Sequence, residues 1–341
     1  MARWVRGAAI GSLLAVGLVC VGGVGAQEEA KKAERPLVSP SETRGKRMVA
    51  VNVLNEEGQQ VVGLKAENFR GKYRGKAVRI VSAEWDAGPR RVVILLDRSG
   101  SMEWGNKQLI ARKAAEDLVF YGPVENQVAL IWFSTKPDEI VPLKAGRQHV
   151  VDRLAEAMKG KTVPAEGRTA LLDALMEGLR LLEPAQFGDA LYVVTDAGEN
   201  ASRSRDREVR EAILCSGVRV YFLLFLDPDR SVRGAEYARG PGLAEELSKE
   251  TGGFSLVPEV LRYGSLGRFQ LSPEELSELG KAVRWLYELM AGYYRVEVEL
   301  PEEVDKTRGW ELEVVGSDGK KMKGVRVVYP RKLAACGGER E

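Results

Sequence analysis

A short apolar run that ends in an aspartate constrains the fold of this chain most. Residues 92–96 are apolar and β-branched, which is typical of a strand buried on both faces of a sheet. Asp97 follows at once, and Ser99 and Ser101 flank Gly100. A tight turn at the carboxyl end of a central strand is where open α/β sheets bind ligands. One carboxylate and two hydroxyls are hard oxygen donors, which suit Mg²⁺, Mn²⁺ or Ca²⁺.

Two later stretches offer the same chemistry. Thr169 opens an apolar helical pattern after Gly167, and Asp196 follows a strand-like run that ends in Val-Val-Thr195. Any one of these residues alone is more often a turn or helix-capping residue than a ligand. Their joint occurrence in one chain disfavours that interpretation.

The D-x-S-x-S turn from Asp97 to Ser101 resembles the metal-ion-dependent adhesion site of von Willebrand factor type A domains. Thr169 matches the G-x-T element of that family, and Asp196 matches its T-D-G turn, with Ala197 where the glycine usually stands. The resemblance implies an α/β fold: a doubly wound, mostly parallel sheet of about six strands with helices on both faces. It also implies an ion, Mg²⁺ or alternatively Mn²⁺ or Ca²⁺, that binds an acidic residue of a protein or cell-surface partner. The resemblance implies that the metal ligands are Asp97, Ser99, Ser101, Thr169 and Asp196. Some domains of the family keep the fold with a degraded site, but all five of these positions are intact here.

The loops beside this site are expected to select the partner. We predict partner contacts for Trp104 in the first loop and for Glu199 and Asn200 in the third. Trp104 could equally pack against its own loop. The resulting hypothesis is a metal-dependent protein-binding or adhesion protein. The alternative is a scaffold subunit of an envelope assembly, in which the metal only stabilises the loops.

Strand and helix patterns divide the chain into segments. Strands alternate with helices over residues 90–291, which predicts a mostly parallel sheet covered by helices. The resemblance implies that this segment is the von Willebrand type A domain. We predict β-rich modules on either side of it, at residues 46–89 and 292–330, and a tail at 331–341. The strand, N-E-E-G turn and V-x-G-L-x-A-E-N-F pattern near the start is similar to the secreted bacterial group called VWFA-related (acidobacterial-type) proteins.

The first 26 residues have the pattern of a secretory signal: Arg3 and Arg6, an apolar core and a Val-Gly-Ala26 cleavage site. A membrane anchor is the alternative, and Cys20 leaves a less favoured lipoprotein interpretation. Residues 27–45 are predicted to be an exposed linker. We therefore expect a secreted or periplasmic protein with no stable membrane span after cleavage.

Charge and cysteine content exclude other classes. Without the signal the chain has 49 basic and 49 acidic residues. A neutral average argues against nucleic-acid binding, which needs a basic face. Cys215 and Cys336 would remain, and an export route permits a disulfide between them that the sequence cannot establish.

Enzyme motifs are also missing. A serine hydrolase uses G-x-S-x-G with a histidine base, whereas this turn is Asp-Arg-Ser-Gly-Ser and the single histidine, His149, lies at a probable helix start. Gly160-Lys-Thr162 ends like a P-loop, but Ala155 replaces the upstream glycine. For metal-assisted hydrolysis, no general base stands out beside the two aspartates. The sequence therefore predicts a protein that is not an enzyme.

Overall fold

The computed structural model describes residues 45–103, 106–159, 167–226, 235–261 and 271–336. These residues all belong to one compact unit. The predicted signal, almost all of the predicted linker and residues 337–341 lie outside the described residues. Within the described residues, no helix is both long enough and apolar enough to cross a membrane.

The elements are numbered along the chain. The strands are β1 (Lys46–Leu54), β2 (Phe69–Tyr73), β3 (Lys76–Asp86), β4 (Arg91–Asp97), β5 (Gln127–Phe133), β6 (Pro137–Val141), β7 (Ala190–Thr195), β8 (Arg219–Leu224), β9 (Phe254–Leu256), β10 (Tyr293–Glu299), β11 (Arg308–Gly309), β12 (Glu311–Val314), β13 (Arg326–Val328) and β14 (Lys332–Leu333). The helices are α1 (Lys107–Tyr121), α2 (Arg147–Lys159), α3 (Leu171–Leu181), α4 (Asp206–Ser216), α5 (Ala235–Thr251) and α6 (Pro273–Ala291).

The α/β sheet has the strand order β6-β5-β4-β7-β8-β9 in the described part of the chain. Every neighbouring pair is parallel except β5 and β6, which are antiparallel. Strand β4 lies between β5 and β7, as the buried run at residues 92–96 predicts. The α/β class and the mostly parallel sheet are therefore confirmed.

Helices cover both faces of this sheet because its strands are apolar on both faces. Ile94 packs in one core with α1 and α6, for example with Ile110 and Val283. Val93 points to the opposite core, where Leu175 of α3 is buried with residues of α4 and α5. Successive residues of a strand face opposite sides, so one strand serves both cores.

The chain order places a crevice beside β4. From β4 the chain crosses through α1 to β5, and it later returns to β7 on the other side of β4. The loops that follow β4 and β7 therefore diverge towards opposite faces of the sheet. Open α/β sheets bind ligands at such a switch point, at the carboxyl ends of the strands.

The two predicted β modules meet in one antiparallel sheet, with the order β12-β2-β3-β10-β1-β13 among the described strands. Strand β10 pairs with both β1 and β3, and β1 also pairs with β13. The α/β part is thus inserted between the segments of one β sheet, which differs from two separate flanking modules. Pairing gives both segments a shared core, which includes Val51, Val296 and Trp310.

Two buried arginines lie where α6 passes into β10. Arg219 donates to the carbonyls of Leu289 and Met290 at 3.2 and 2.8 Å, and Arg90 donates to the Met290 carbonyl at 3.2 Å. Their guanidinium carbons lie 4.1 and 4.3 Å from the centroid of the Tyr293 ring. Cations at the carboxyl end of a helix satisfy its last carbonyls and oppose its dipole.

The structure joins Cys215, in the last turn of α4, to Cys336 in the tail by a disulfide. The two Cα atoms are 5.4 Å apart, within the range that a disulfide requires. The pairing that the sequence left open is therefore present.

Tyr192 and Tyr221 are neighbours in the register of β7 and β8, and both are buried. The Tyr221 hydroxyl accepts from Arg219 at 2.6 Å and donates to the Leu289 carbonyl at 3.2 Å. Among the described residues, the Tyr192 hydroxyl has no hydrogen-bond partner. An unsatisfied buried hydroxyl costs about 1–3 kcal/mol.

We expect Tyr192→Phe to raise the free energy of unfolding by about 1 kcal/mol, and Tyr221→Phe to lower it by about 1 kcal/mol. Urea denaturation of both variants beside the wild type measures the difference. A loss of stability in Tyr192→Phe as large as that in Tyr221→Phe would contradict the assignment of an unsatisfied hydroxyl.

Candidate metal site

Asp97 is the last residue of β4 and is 1% exposed. Its Oδ1 accepts a hydrogen bond from the backbone N–H of Ser99 at 2.8 Å, and its Oδ2 accepts from the Thr195 hydroxyl at 2.5 Å. Thr195 is the last residue of the neighbouring strand β7. The carboxylate is therefore held between the ends of two strands at the switch point.

The two serines of the first loop lie on one short turn. The Oγ atoms of Ser99 and Ser101 are 3.2 Å apart. The turn at Gly100–Met102 is a 3-10 helix anchored by the buried side chain of Met102. The Gly100 N–H donates to the Gly167 carbonyl at 3.1 Å, which ties the first loop to the second.

Thr169 links the second loop to the third. Its N–H donates to Oδ1 of Asn200 at 2.8 Å, and its carbonyl accepts from the Asn200 N–H at 2.9 Å. A Cβ at Gly198 would lie 2.9 Å from the Thr169 hydroxyl oxygen and 3.8 Å from Oδ1 of Asp196. Glycine at 198 therefore leaves the space beside these two oxygens open.

Ala197 takes the glycine position of the T-D-G turn and keeps the conformation that favours glycine. Its φ is +60°, in the left-handed region that non-glycine residues rarely adopt. Its N–H donates to the Thr195 hydroxyl at 2.8 Å. The Ala197 carbonyl oxygen lies against Gly240 of α5. A Cβ added to Gly240 would be 1.5 Å from that oxygen. Contacts with β7 and with α5 therefore fix the backbone after Asp196.

The two aspartates form a buried acidic pair. Burial, and secondly the negative charge of Asp196, raise the pKa of Asp97 to about 7. Both effects disfavour the charged form of the Asp97 carboxyl group. A cation bound nearby would stabilise that charged form. A divalent ion bound beside the two carboxylates would reduce the repulsion between them.

A buried lysine, which the sequence analysis missed, also lies at this site. Lys107, the first residue of α1, is 2% exposed. Its Nζ lies 3.3 Å from Oδ2 of Asp196 and 3.2 Å from the carbonyl oxygen of Ser101. A lysine is an unusual choice at a helix start because the helix dipole disfavours a cation there. The placement of a lysine at a predicted helix start is therefore the signal in the sequence that could have identified Lys107.

The donors at this edge fit a hard divalent ion. Two carboxylates and three hydroxyls offer only oxygen, which is the chemistry that Mg²⁺, Mn²⁺ and Ca²⁺ prefer. The residues described by the structure contain no group of three or more His, Cys, Asp or Glu side chains that could hold a metal. A site here would therefore depend on the hydroxyls of Ser99, Ser101 and Thr169.

The predicted partner-contacting residues have other contacts in the structure. Oε2 of Glu199 accepts from the Leu172 N–H at 2.9 Å and from the Ser202 hydroxyl at 2.8 Å, which holds the start of α3. Asn200 holds Thr169 as described above. Trp104 lies outside the described residues. Direct partner contacts by these three residues remain predictions.

The fold and the site together define an α/β domain with a cluster of oxygen donors at the carboxyl ends of its central strands. A sequence model of the von Willebrand factor type A domain matches residues 92–199. The chain therefore contains a von Willebrand factor type A domain over these residues, as the motifs predicted. No curated protein sequence matches this chain.

Several solved structures are similar at low identity. Human Sec24c, a COPII-coat protein, is 12% identical with a TM-score of 0.43, and the match covers 73% of this chain and 44% of Sec24c. A von Willebrand factor type A protein from Catenulispora acidiphila is 13% identical with a TM-score of 0.42, covering 86% and 75% of the two chains. BatB from Bacteroides thetaiotaomicron is 19% identical with a TM-score of 0.42, covering 60% and 99%. The chain thus spans less than half the length of Sec24c.

Proposed function

We propose that this protein binds a partner protein through a divalent ion held by Asp97, Ser99, Ser101, Thr169 and Asp196. The observation that carries the proposal is the convergence of three loops at the switch point beside β4. Hydrogen bonds link these loops to one another, and two buried aspartates lie among them. Mg²⁺ is the proposed ion, with Mn²⁺ or Ca²⁺ as alternatives that use the same oxygen donors.

The charge balance explains why such a site would attract an acidic partner. Two carboxylates match the charge of a divalent ion, and the neutral hydroxyls add none. The bound ion would remain a strong Lewis acid towards an outside carboxylate. A desolvated contact of this kind can serve as the centre of a protein interface.

Catalysis is not part of the proposal. Within the described residues, Asp97 and Asp196 are already engaged by Thr195 and Lys107, and a separate general base beside them does not stand out. We propose a secreted or periplasmic binding protein, based on the signal-like first 26 residues. A hydrolase would instead show turnover that disappears in Asp97→Ala.

The alternative is a scaffold subunit of an envelope assembly, in which the ion only stabilises the loops. In this alternative the ion would add one more link between loops that the Gly100–Gly167 and Thr169–Asn200 hydrogen bonds already join. Chelation separates the two functions. It abolishes partner capture if the ion is the contact, and it only lowers the melting temperature if the ion is structural.

The first test is calorimetric titration of Mg²⁺ and Mn²⁺ into the wild-type protein and into Asp97→Ala. We expect saturable binding in the wild type and its loss in the variant. Asp152→Ala is the matched control, because Asp152 lies on α2 and its carboxylate accepts from Gln148 on the surface. The control is expected to bind like the wild type.

Binding that is unaltered in Asp97→Ala would refute the site. Absence of binding at millimolar metal would refute metal-dependent adhesion by the protein alone. A further titration in the presence of acetate, a minimal carboxylate, would then test whether a partner group completes the site.

A further inference from the structure

The candidate metal site contains its own cation. Nζ of Lys107 contacts the third loop through Oδ2 of Asp196 at 3.3 Å and the first loop through the Ser101 carbonyl at 3.2 Å. Both the lysine and Asp196 side chains are 2% exposed. The ammonium group therefore binds a side-chain oxygen of one proposed metal ligand, Asp196, and the backbone carbonyl of another, Ser101.

Burying a lysine at this position is unfavourable unless local anions compensate it. The residue begins a helix, where the dipole is positive, and a buried ammonium loses its hydration. The compensation comes from Asp196, whose carboxylate also interacts electrostatically with Asp97. A divalent ion at the same carboxylates would meet this fixed positive charge.

We propose that Lys107 is a built-in competitor of the divalent ion. It neutralises part of the acidic pair when the ion is absent and weakens ion binding by repulsion when the ion is present. The occupied site then carries two charges from the ion and one from the lysine against two carboxylates, which leaves it net positive. A partner carboxylate restores neutrality, so partner and ion strengthen each other's binding. This inference rests on the proposed function of the same site.

The test compares Mg²⁺ affinity in the wild type with that in Lys107→Met, by calorimetry on the full chain. We expect Lys107→Met to bind Mg²⁺ about tenfold more tightly or better, equivalent to about 1.4 kcal/mol. Lys107→Gln, which is neutral but keeps a hydrogen-bond donor, is expected to show the same direction. The rise in melting temperature with added Mg²⁺ is expected to be larger in both variants than in the wild type.

Lys113→Met is the matched control. Lys113 lies on the same helix, its side chain is 44% exposed, and it pairs with Asp117 rather than with the site. Removing its charge changes the net charge of the protein by the same amount as Lys107→Met. We expect its Mg²⁺ affinity to stay within about twofold of the wild type, because an exposed charge is screened by solvent and salt.

The outcomes separate this inference from the proposed function. Wild-type binding with equal or weaker binding in Lys107→Met would overturn the inference and leave the metal site standing. Binding only in the neutral variants would support the inference and show that the lysine blocks the ion in the isolated protein. Binding in none of the proteins would overturn both. Failure of both neutral variants to fold would make Lys107 a structural cation and would also overturn the inference.

Discussion

Reduction of the Cys215–Cys336 disulfide is expected to lower the free energy of unfolding by about 5 kcal/mol. The bond joins residues 121 positions apart, and in the chain-entropy account a loop of about 100 residues contributes about 4.7 kcal/mol. Its loss frees the tail from α4 and enlarges the unfolded ensemble. Urea denaturation with and without reductant measures the change.

The control for this prediction is the double variant Cys215→Ala with Cys336→Ala. It is expected to unfold like the reduced wild type and to be insensitive to reductant. Identical denaturation midpoints for the oxidised and reduced wild type would contradict the prediction.

Replacement of Arg219 by methionine is expected to lower the free energy of unfolding by about 3 kcal/mol. The side chain is 1% exposed and donates to Tyr221 and to the last carbonyls of α6, while its guanidinium stacks on Tyr293. Hydrogen bonds from a charged donor contribute about 1.5–3 kcal/mol each, so the loss of these bonds together is expected to cost about 3 kcal/mol or more. Methionine keeps the apolar bulk, which keeps the expected loss at about 3 kcal/mol.

Arg284→Met is the matched control, because Arg284 lies on α6 itself but is exposed and pairs with Glu288. Its expected effect is below about 0.5 kcal/mol, the usual contribution of such a surface pair. Urea denaturation of both variants measures the difference. Equal losses of stability in the two variants would show that the arginine at the α6–β10 junction has no special role.

Local patterns predicted the α/β part well. The apolar run before Asp97 forms the central strand. The sequence pattern also predicts a helix over residues 107–121 and a strand over 127–133, and these are the bounds of α1 and β5. Periodicity and capping chemistry are local signals, as the Ser272–Glu275 capping box at the start of α6 shows. The sequence pattern predicts a helix only over residues 242–250, whereas α5 begins at Ala235 and continues through Pro241. Glycine and proline are poor helix formers, so the pattern hid the first turns.

Long-range contacts could not be predicted in the same way. The alternating strands at each end of the chain indicated β structure, but not that β1 would pair with β10 across the α/β insertion. The position of Lys107 at a helix start was a local signal, but its partner could not be predicted, because the contact with Asp196 joins positions 89 residues apart. A polar side chain is buried when the fold places a suitable partner beside it, and local sequence patterns do not identify partners that are distant along the chain.

The insertion of the α/β part into the antiparallel sheet determines how a mechanical load would pass through the protein. The chain leaves the antiparallel sheet at the end of β3 and re-enters it at the start of β10, and Asp86 and Tyr293 at these two points are paired partners. A pull on a partner held at the candidate metal site would therefore leave the α/β part through these two adjacent strands and through the Cys215–Cys336 disulfide, which joins α4 to the tail. Strands β3 and β10 share the tension. They pass it to the neighbouring strands β2 and β1 as shear along rows of backbone hydrogen bonds, which resist because many of them have to break at once.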